Sequence, residues 1–199
     1  EVAGKIRLYA NRSILVNVTN PVDIMNVVLQ RKTGFPASRV IGFCLNDTAR
    51  FRWALSRVLR VDINSITAYV LGEHGEDQVP VFSHIRIHGR KIDLDSEKKR
   101  IVREALDNYF EQHASLQSGR TSNWLSSLTL THLVEAIVRE TGEVLPCSVI
   151  DEEGVSVGRL VRLSRSGVEE FVDLDMSGEE RKQWNRARNK IADILKQLA

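Results

Sequence analysis

Leu71-Gly72-Glu73-His74-Gly75-Glu76-Asp77-Gln78-Val79-Pro80 sets one histidine between two glycines, with an apolar run on each side: Ser65 to Leu71 before it and Val79 to Ile87 after it. Two short apolar runs joined by so tight a connection form an antiparallel ribbon with His74 at its tip. Glycine lets the backbone turn sharply and approach a small ligand without a Cβ in the way. Imidazole has an unperturbed pKa near neutrality, so a His on such a turn can accept and return protons. Taken alone, G-x-H-G reads most simply as a hairpin tip carrying an exposed His. Its companions upstream give it a chemical reading.

Residues 1 to 12 read as the tail of a helix running into a polar turn. Ser13-Ile14-Leu15-Val16-Asn17-Val18 is short, apolar and rich in β-branched residues, as in a strand buried in a parallel sheet. Thr19-Asn20-Pro21-Val22-Asp23 then opens a helix, with Asn20 able to cap, Pro21 at the first helical position and Asp23 at the positive end of the dipole. Gly34 and Pro36 end that helix, and Arg39-Val40-Ile41-Gly42 is a second short strand. From Asp47 the apolar spacing turns helical through Phe51, Ala54, Leu55, Val58 and Leu59. Arg50 follows Asp47 by one turn, so the two share a face. A capping Asp and a solvated Arg would explain each residue singly.

Beyond the ribbon, Asp95 to Gln117 reads as a long amphipathic helix with Ile101, Ala105, Leu106, Tyr109 and Phe110 inward. After Gly119 to Trp124 another helix runs from about Leu125 to Glu140, with Gly142 and Pro146 as its stop. Val157–Leu163 and Val168–Leu174 form a hairpin across Ser164 to Gly167. Ser177 and Glu180 make a capping box for a last helix carrying Trp184, Ala187, Ile191, Ile194, Leu195 and Leu198.

With 199 residues, 42% hydrophobic and 27% charged, the chain can bury one good core and has the composition of a soluble globular protein. The net charge of +2 is spread along the chain, which argues against a nucleic-acid surface or a membrane face. Cys44 and Cys147 are too few for a disulfide scaffold and lack metal-ligand spacing, so no metal is expected and the setting is expected to be cytoplasmic. No run reaches transmembrane length, and the first residues do not read as a signal peptide.

The chemistry that a strand ending in Thr-Asn-Pro, an Asp and Arg three apart, and a His on a glycine turn could share is hydride transfer at an alcohol carbon. That reaction needs a base for the hydroxyl proton and a carboxylate that orients the base and stabilises its cation. It also needs a guanidinium that clamps a substrate carboxylate with two parallel hydrogen bonds. His74, Asp47 and Arg50 supply these three parts.

On these residues the chain resembles the lactate/malate dehydrogenase family. The matching segments are Val18-Thr19-Asn20-Pro21-Val22-Asp23, Gly34-Phe35-Pro36, Arg39-Val40-Ile41-Gly42, Asp47-Thr48-Ala49-Arg50-Phe51-Arg52 and Leu71-Gly72-Glu73-His74-Gly75. Similarity continues through Gln78 to Ser83, His132 to Ile137 and Thr141 to Pro146, and so covers nearly the whole chain. The later segments look most like malate dehydrogenases built on the lactate dehydrogenase plan. The resemblance implies an α/β fold with an α+β catalytic domain: residues 1–20 as the end of a Rossmann-type parallel sheet, and residues 21–199 as the mixed helix and antiparallel-ribbon substrate domain.

It also implies roles. His74 matches the proton acceptor, Asp47 its orienting carboxylate, and Arg50 the arginine that binds the substrate carboxylate. Asn20 matches a substrate contact and, with Val18 and Thr19, the strand end beside the nicotinamide. Thr121 falls in the segment lining the substrate pocket. The implied cofactor is NAD, with NADP left open. The implied partners are a small 2-hydroxy or 2-oxo acid and further copies of the chain in a homodimer or homotetramer, for which the apolar Phe51-Trp53-Leu55 helix is a candidate surface.

The departures are as informative. No stretch reads as G-x-G-x-x-G, and the ribose-binding acidic residue and the substrate-selecting mobile loop have no counterpart. The sequence corresponds to the carboxy-terminal two thirds of such an enzyme, so weak or absent NAD binding is expected of this chain by itself. The leading expectation is malate dehydrogenase, with L-lactate dehydrogenase as the alternative. A non-catalytic binding or oligomerisation module that has lost the NAD domain is the alternative of another class.

Overall fold

The ribbon and its neighbours belong to one large sheet with helices on both faces. The structure, a computed structural model, describes residues 1–109, 115 and 123–198. The helices are α1 (Val2–Tyr9), α2 (Val22–Thr33), α3 (Leu45–Leu59), α4 (Ser96–Asp107), α5 (Asn123–Arg139) and α6 (Gly178–Gln197). The strands are β1 (Leu15–Asn17), β2 (Val40–Phe43), β3 (Ile66–Thr67), β4 (Val70–Gly72), β5 (Gln78–Pro80), β6 (Arg86–Ile87), β7 (Arg90–Lys91), β8 (Val144–Ile150), β9 (Ser156–Ser164) and β10 (Gly167–Val172). The main sheet runs β1-β2-β8-β9-β4-β5, with β10 also on β9, and β3-β6-β7 form a small second sheet.

Only β1 and β2 run parallel, with Val16 opposite Ile41; the pairings from β2 onward are antiparallel. The parallel pair is thus a short edge of a mixed sheet, and β1 is hydrogen-bonded directly to the strand that leads into α3.

Period-two alternation along the strands sends neighbouring residues to two cores. Val40 and Leu160 join Val27, Leu71, Trp184 and Ile191 on the α2 and α6 side. Ile41 and Val161 join Leu45, Leu133 and Cys147 on the α3 and α5 side. Phe51, Leu55, Phe82, Ile85, Val102 and Leu106 form a third core between α3, α4 and the small sheet.

Several expectations are corrected. Val144–Ile150 is a central strand, whereas Pro146 had been read as a helix stop; the turn after α5 is instead made by Glu140 and Gly142, both at positive φ. Pro146 lies one residue beyond Cys147, where the pairing of β8 with β2 ends, and its carbonyl accepts from Cys44 Sγ. The Asn20 side chain does not cap α2; Pro21 holds the cap position in extended backbone, after a cis Asn20–Pro21 peptide. The apolar run after Val79 is broken by a 3-10 turn at Phe82–His84.

Val102 rather than Ile101 is the buried partner of Leu106 in α4, and the far end of the helix expected to reach Gln117 lies outside the described residues. Ile194 and Leu198 of the last helix are exposed. Trp53 meets Tyr109 edge-on with centroids 5.7 Å apart, so its ring is used inside the domain. Both cysteines are buried and unpaired. No described helix is long and apolar enough to cross a membrane.

Candidate active site

Three chain segments, joined by Lys190 of α6, converge on one cleft of about 680 Å³ lined by Asn20, Pro21, Asp47, Arg50, Glu73 and His74 among others. The first is the turn after β1. Asn17 is buried and builds this turn: its Oδ1 accepts from the Thr19 N–H at 3.0 Å and its Nδ2 donates to the Val22 carbonyl at 3.3 Å. The chain is thereby folded back before Asn20.

The second segment is the first turns of α3. Thr48 Oγ1 accepts from the Val70 N–H at 2.9 Å, tying the head of α3 to β4. Asn46 donates to Ser126 Oγ at 2.8 Å and accepts from Thr129 Oγ1 at 2.6 Å, tying it to α5. These links hold Asp47 and Arg50 against a fixed frame.

The third is the β4–β5 turn. Gly72 sits at φ +84°, a conformation glycine adopts without strain. A Cβ built on Gly158 of β9 would stand 2.7 Å from the Gly72 carbonyl oxygen, so β9 lets the β4–β5 turn come this close only because Gly158 has no side chain.

His74 is held twice. Its Nδ1 lies 2.5 Å from Asp47 Oδ2, and its backbone N–H donates to Asp23 Oδ2 at 2.8 Å. The other oxygen of Asp47 accepts from Arg50 Nη1 at 3.3 Å. The three side chains are only 19%, 8% and 12% exposed for His74, Asp47 and Arg50. With Nδ1 committed to the carboxylate, Nε2 is the ring nitrogen turned to the cleft.

Burial works to lower the His74 pKa, but the Asp47 hydrogen bond and charge, reinforced by the charge of Asp23, raise it above the ordinary value despite Arg50. Burial pushes the Asp23 carboxyl up to about 6, against the hydrogen bonds from Ser148 and the His74 backbone. The Arg50 guanidinium also lies over the Tyr109 ring, 4.9 Å from its centroid. The arrangement can exchange a proton at Nε2 and bind an anion beside it. Among the described residues no group of three or more His, Cys, Asp or Glu could hold a metal ion.

Of the expected site residues, His74, Asp47, Arg50 and Asn20 come together around the cleft. Val18 and Thr19 stand exposed at the end of β1, outside the cleft lining. Thr121 lies outside the described residues. Sequence reasoning missed Asn17, Asp23 and Lys190. Lys190 donates to Glu73 Oε2 and Asp77 Oδ2, each at 2.9 Å, and so ties α6 to both ends of the β4–β5 turn. The signal for Asn17 was present, since Asn two residues before Thr closes an Asx turn. Lys190, 117 residues from Glu73, left none.

Fold and site define a class: a mixed α/β domain that presents a carboxylate-bound histidine beside an arginine. The chain belongs to the lactate/malate dehydrogenase family, for residues 46–199 match its alpha/beta C-terminal domain. It is 32% identical over 200 residues to the malate dehydrogenase of Natronomonas pharaonis, covering 97% of this chain and 65% of that protein. It is 34% identical over 207 residues to the L-lactate dehydrogenase of Gloeobacter violaceus, covering 96% and 62%. The structure of the malate dehydrogenase from Aeropyrum pernix superposes with a TM-score of 0.88 at 30% identity, over 98% of this chain and 68% of that one. The chain therefore spans about two thirds or slightly less of the length of the relatives it matches.

Proposed function

We propose that this chain is the substrate-binding and proton-transfer part of an NAD-dependent 2-hydroxy acid dehydrogenase acting on malate. The observation that carries the reading is Asp47 bonded at once to His74 Nδ1 and Arg50 Nη1 on the wall of one cleft. Malate is preferred to lactate because most of the similar relatives compared, among them those of Natronomonas pharaonis, Aquifex aeolicus and Bacillus subtilis, are named malate dehydrogenase. Residues 1–20 would be the end of a dinucleotide-binding domain and residues 21–199 the catalytic domain.

In this mechanism Arg50 binds the substrate carboxylate in a two-pronged pair and Asn20, which lines the same cleft, contacts the substrate. His74 Nε2 takes the hydroxyl proton as the alcohol carbon is oxidised, and Asp47 stabilises the imidazolium that forms. In the reverse direction His74 returns that proton to the carbonyl oxygen. Val18, exposed at the end of β1, and Thr19 would hold the nicotinamide end of NAD beside the cleft residue Asn20. When bound, NAD would supply the acceptor for the hydride that leaves the substrate carbon. This chain holds no Gly-rich turn for the pyrophosphate, so tight binding is assigned to sequence that the relatives carry and this chain does not span.

Association into a homodimer or homotetramer belongs to the same reading. Its support moves from Trp53, which is used internally, to the exposed Trp124, Leu128 and Val138 of α5. The function is tested by assaying malate and lactate oxidation with NAD in the protein joined to its nucleotide-binding part, wild type against His74→Asn. Malate turnover that falls by about 10² to 10⁴ in the variant supports the reading. Turnover unaffected by the substitution, or no oxidation of either acid, refutes it.

A further inference from the structure

The best-protected carboxylate near His74 is not Asp47 but Asp23, only 3% exposed in the first turn of α2. A helix-dipole role would leave it in solvent. Instead Oδ2 accepts from the His74 backbone N–H at 2.8 Å and Oδ1 accepts from Ser148 Oγ on β8. Ser148 Oγ lies 2.9 Å from Ser156 Oγ on β9, and Asn26, one turn along α2, donates to the Ser148 carbonyl at 2.9 Å and to Ser156 Oγ at 3.0 Å. A buried polar network thus joins α2, β8 and β9 to the back of the catalytic turn. Among the described residues the hydrogen-bond donors to this carboxylate are a hydroxyl and a peptide N–H, with no Lys or Arg.

We propose that Asp23 is a second positioning carboxylate for His74: Asp47 orients the ring, while Asp23 fixes the main chain behind it and adds negative charge that favours the imidazolium. The inference rests on the reading of His74 as the proton-transfer group and adds a residue to it. Two features set Asp23 apart from a merely structural buried acid. It touches His74 itself rather than a neighbour in the turn, and it does so at the peptide group that sets where the ring begins. Burial raises its carboxyl to about 6, and its charge is among those that raise the His74 pKa. The charged and titratable groups facing the pair are Glu73 on the same turn and Asp47 and Arg50 on α3, with the Cys44 thiol nearby; β8 and β9 contribute only the hydroxyls of Ser148 and Ser156.

Asp23→Asn keeps the size of the side chain and an oxygen to accept from His74, but removes the charge. Ser148→Ala keeps the carboxylate and removes the hydroxyl that favours its ionised form. The test is an NMR titration of the His74 ring carbon-bound protons in the ligand-free protein, with the His74 signal identified by its loss in His74→Asn. Asp23→Asn is expected to lower the His74 midpoint, as Asp47→Asn does, and Ser148→Ala to lower it in the same direction. A midpoint in Asp23→Asn that coincides with wild type, in a variant that unfolds cooperatively, overturns the proposal. Should Asp23→Asn fail to fold, an unshifted midpoint in Ser148→Ala overturns it instead. Because no turnover is read, this outcome is distinct from failure of the dehydrogenase reading, which shows in the His74→Asn assay.

Discussion

Asp47 Oδ2 lies 2.5 Å from His74 Nδ1 across 27 residues of sequence, and the same carboxylate receives Arg50 Nη1 at 3.3 Å through its other oxygen. One buried carboxylate therefore bridges the imidazole and the guanidinium. Each is presented by a different element, the ring by the β4–β5 turn and the guanidinium by α3.

Arg50→Lys separates charge from shape. An ammonium keeps the positive charge but loses the planar pair of donors. Loss of one charge-assisted hydrogen bond is worth about 1.5–3 kcal/mol, so the KM for malate is expected to rise about 10- to 100-fold, with a smaller change in kcat. Steady-state kinetics on the protein that includes the nucleotide-binding part checks this. An unchanged KM removes Arg50 from substrate binding.

Gly158→Ala probes the close approach of β9 to the catalytic turn. The added methyl would meet the Gly72 carbonyl oxygen at 2.7 Å, a backbone atom that cannot rotate away, and the Gly158 carbonyl also accepts from Trp184 Nε1 at 3.0 Å. Overpacking of this kind costs about 1–3 kcal/mol. The urea midpoint should fall accordingly, and the His74–Asp47 contact should loosen with it. Wild-type stability in the variant would mean that β4 and β9 separate freely.

The sequence carried the site further than it carried the sheet. His74, Asp47, Arg50 and Asn20 were legible because the chemistry constrains residue type, and Gly72 and Gly75 marked the turn that presents the His. The α3 helix was legible from the spacing of Phe51, Ala54 and Leu55, all now buried. Strand β8 was not, because Pro146 argues locally against a strand. What overrides it is a distant neighbour, β2, whose pairing with β8 ends at Cys147, so that Pro146 lies just beyond it. The further partners of Asp23 were hidden for the same reason. Asp23 does stand in the first turn of α2, as expected, and nothing local announces that β8 and the β4–β5 turn close over it.

Asp23 also links stability to pH. Its folded pKa, raised from 3.8 to about 6 chiefly by burial, means that the folded state holds this proton more tightly than the unfolded chain. The stabilising contribution is therefore complete below about pH 3.8 and is lost as pH rises through about 6, at a cost of about 3 kcal/mol by neutral pH. Asp23→Asn escapes that loss. Relative to wild type it should gain up to about 3 kcal/mol between pH 4 and pH 7.5, measured by urea unfolding at the two pH values. A difference between the proteins that does not vary with pH would place the Asp23 carboxyl near its ordinary pKa.

Proton transfer through a carboxylate-supported His74 has a definite pH signature. Oxidation of the alcohol needs the neutral ring and rises as pH passes the His74 pKa; reduction of the ketone needs the imidazolium and falls through the same region. Asp47 holds that pKa up against the effect of burial, so in Asp47→Asn it should drop. The measurement is a pair of kcat/KM profiles for oxaloacetate reduction by NADH against pH, wild type and Asp47→Asn. The falling limb should move to lower pH in the variant and the maximum should shrink. Limbs that coincide would show that Asp47 does not support His74, and that the contact between them has no part in the chemistry.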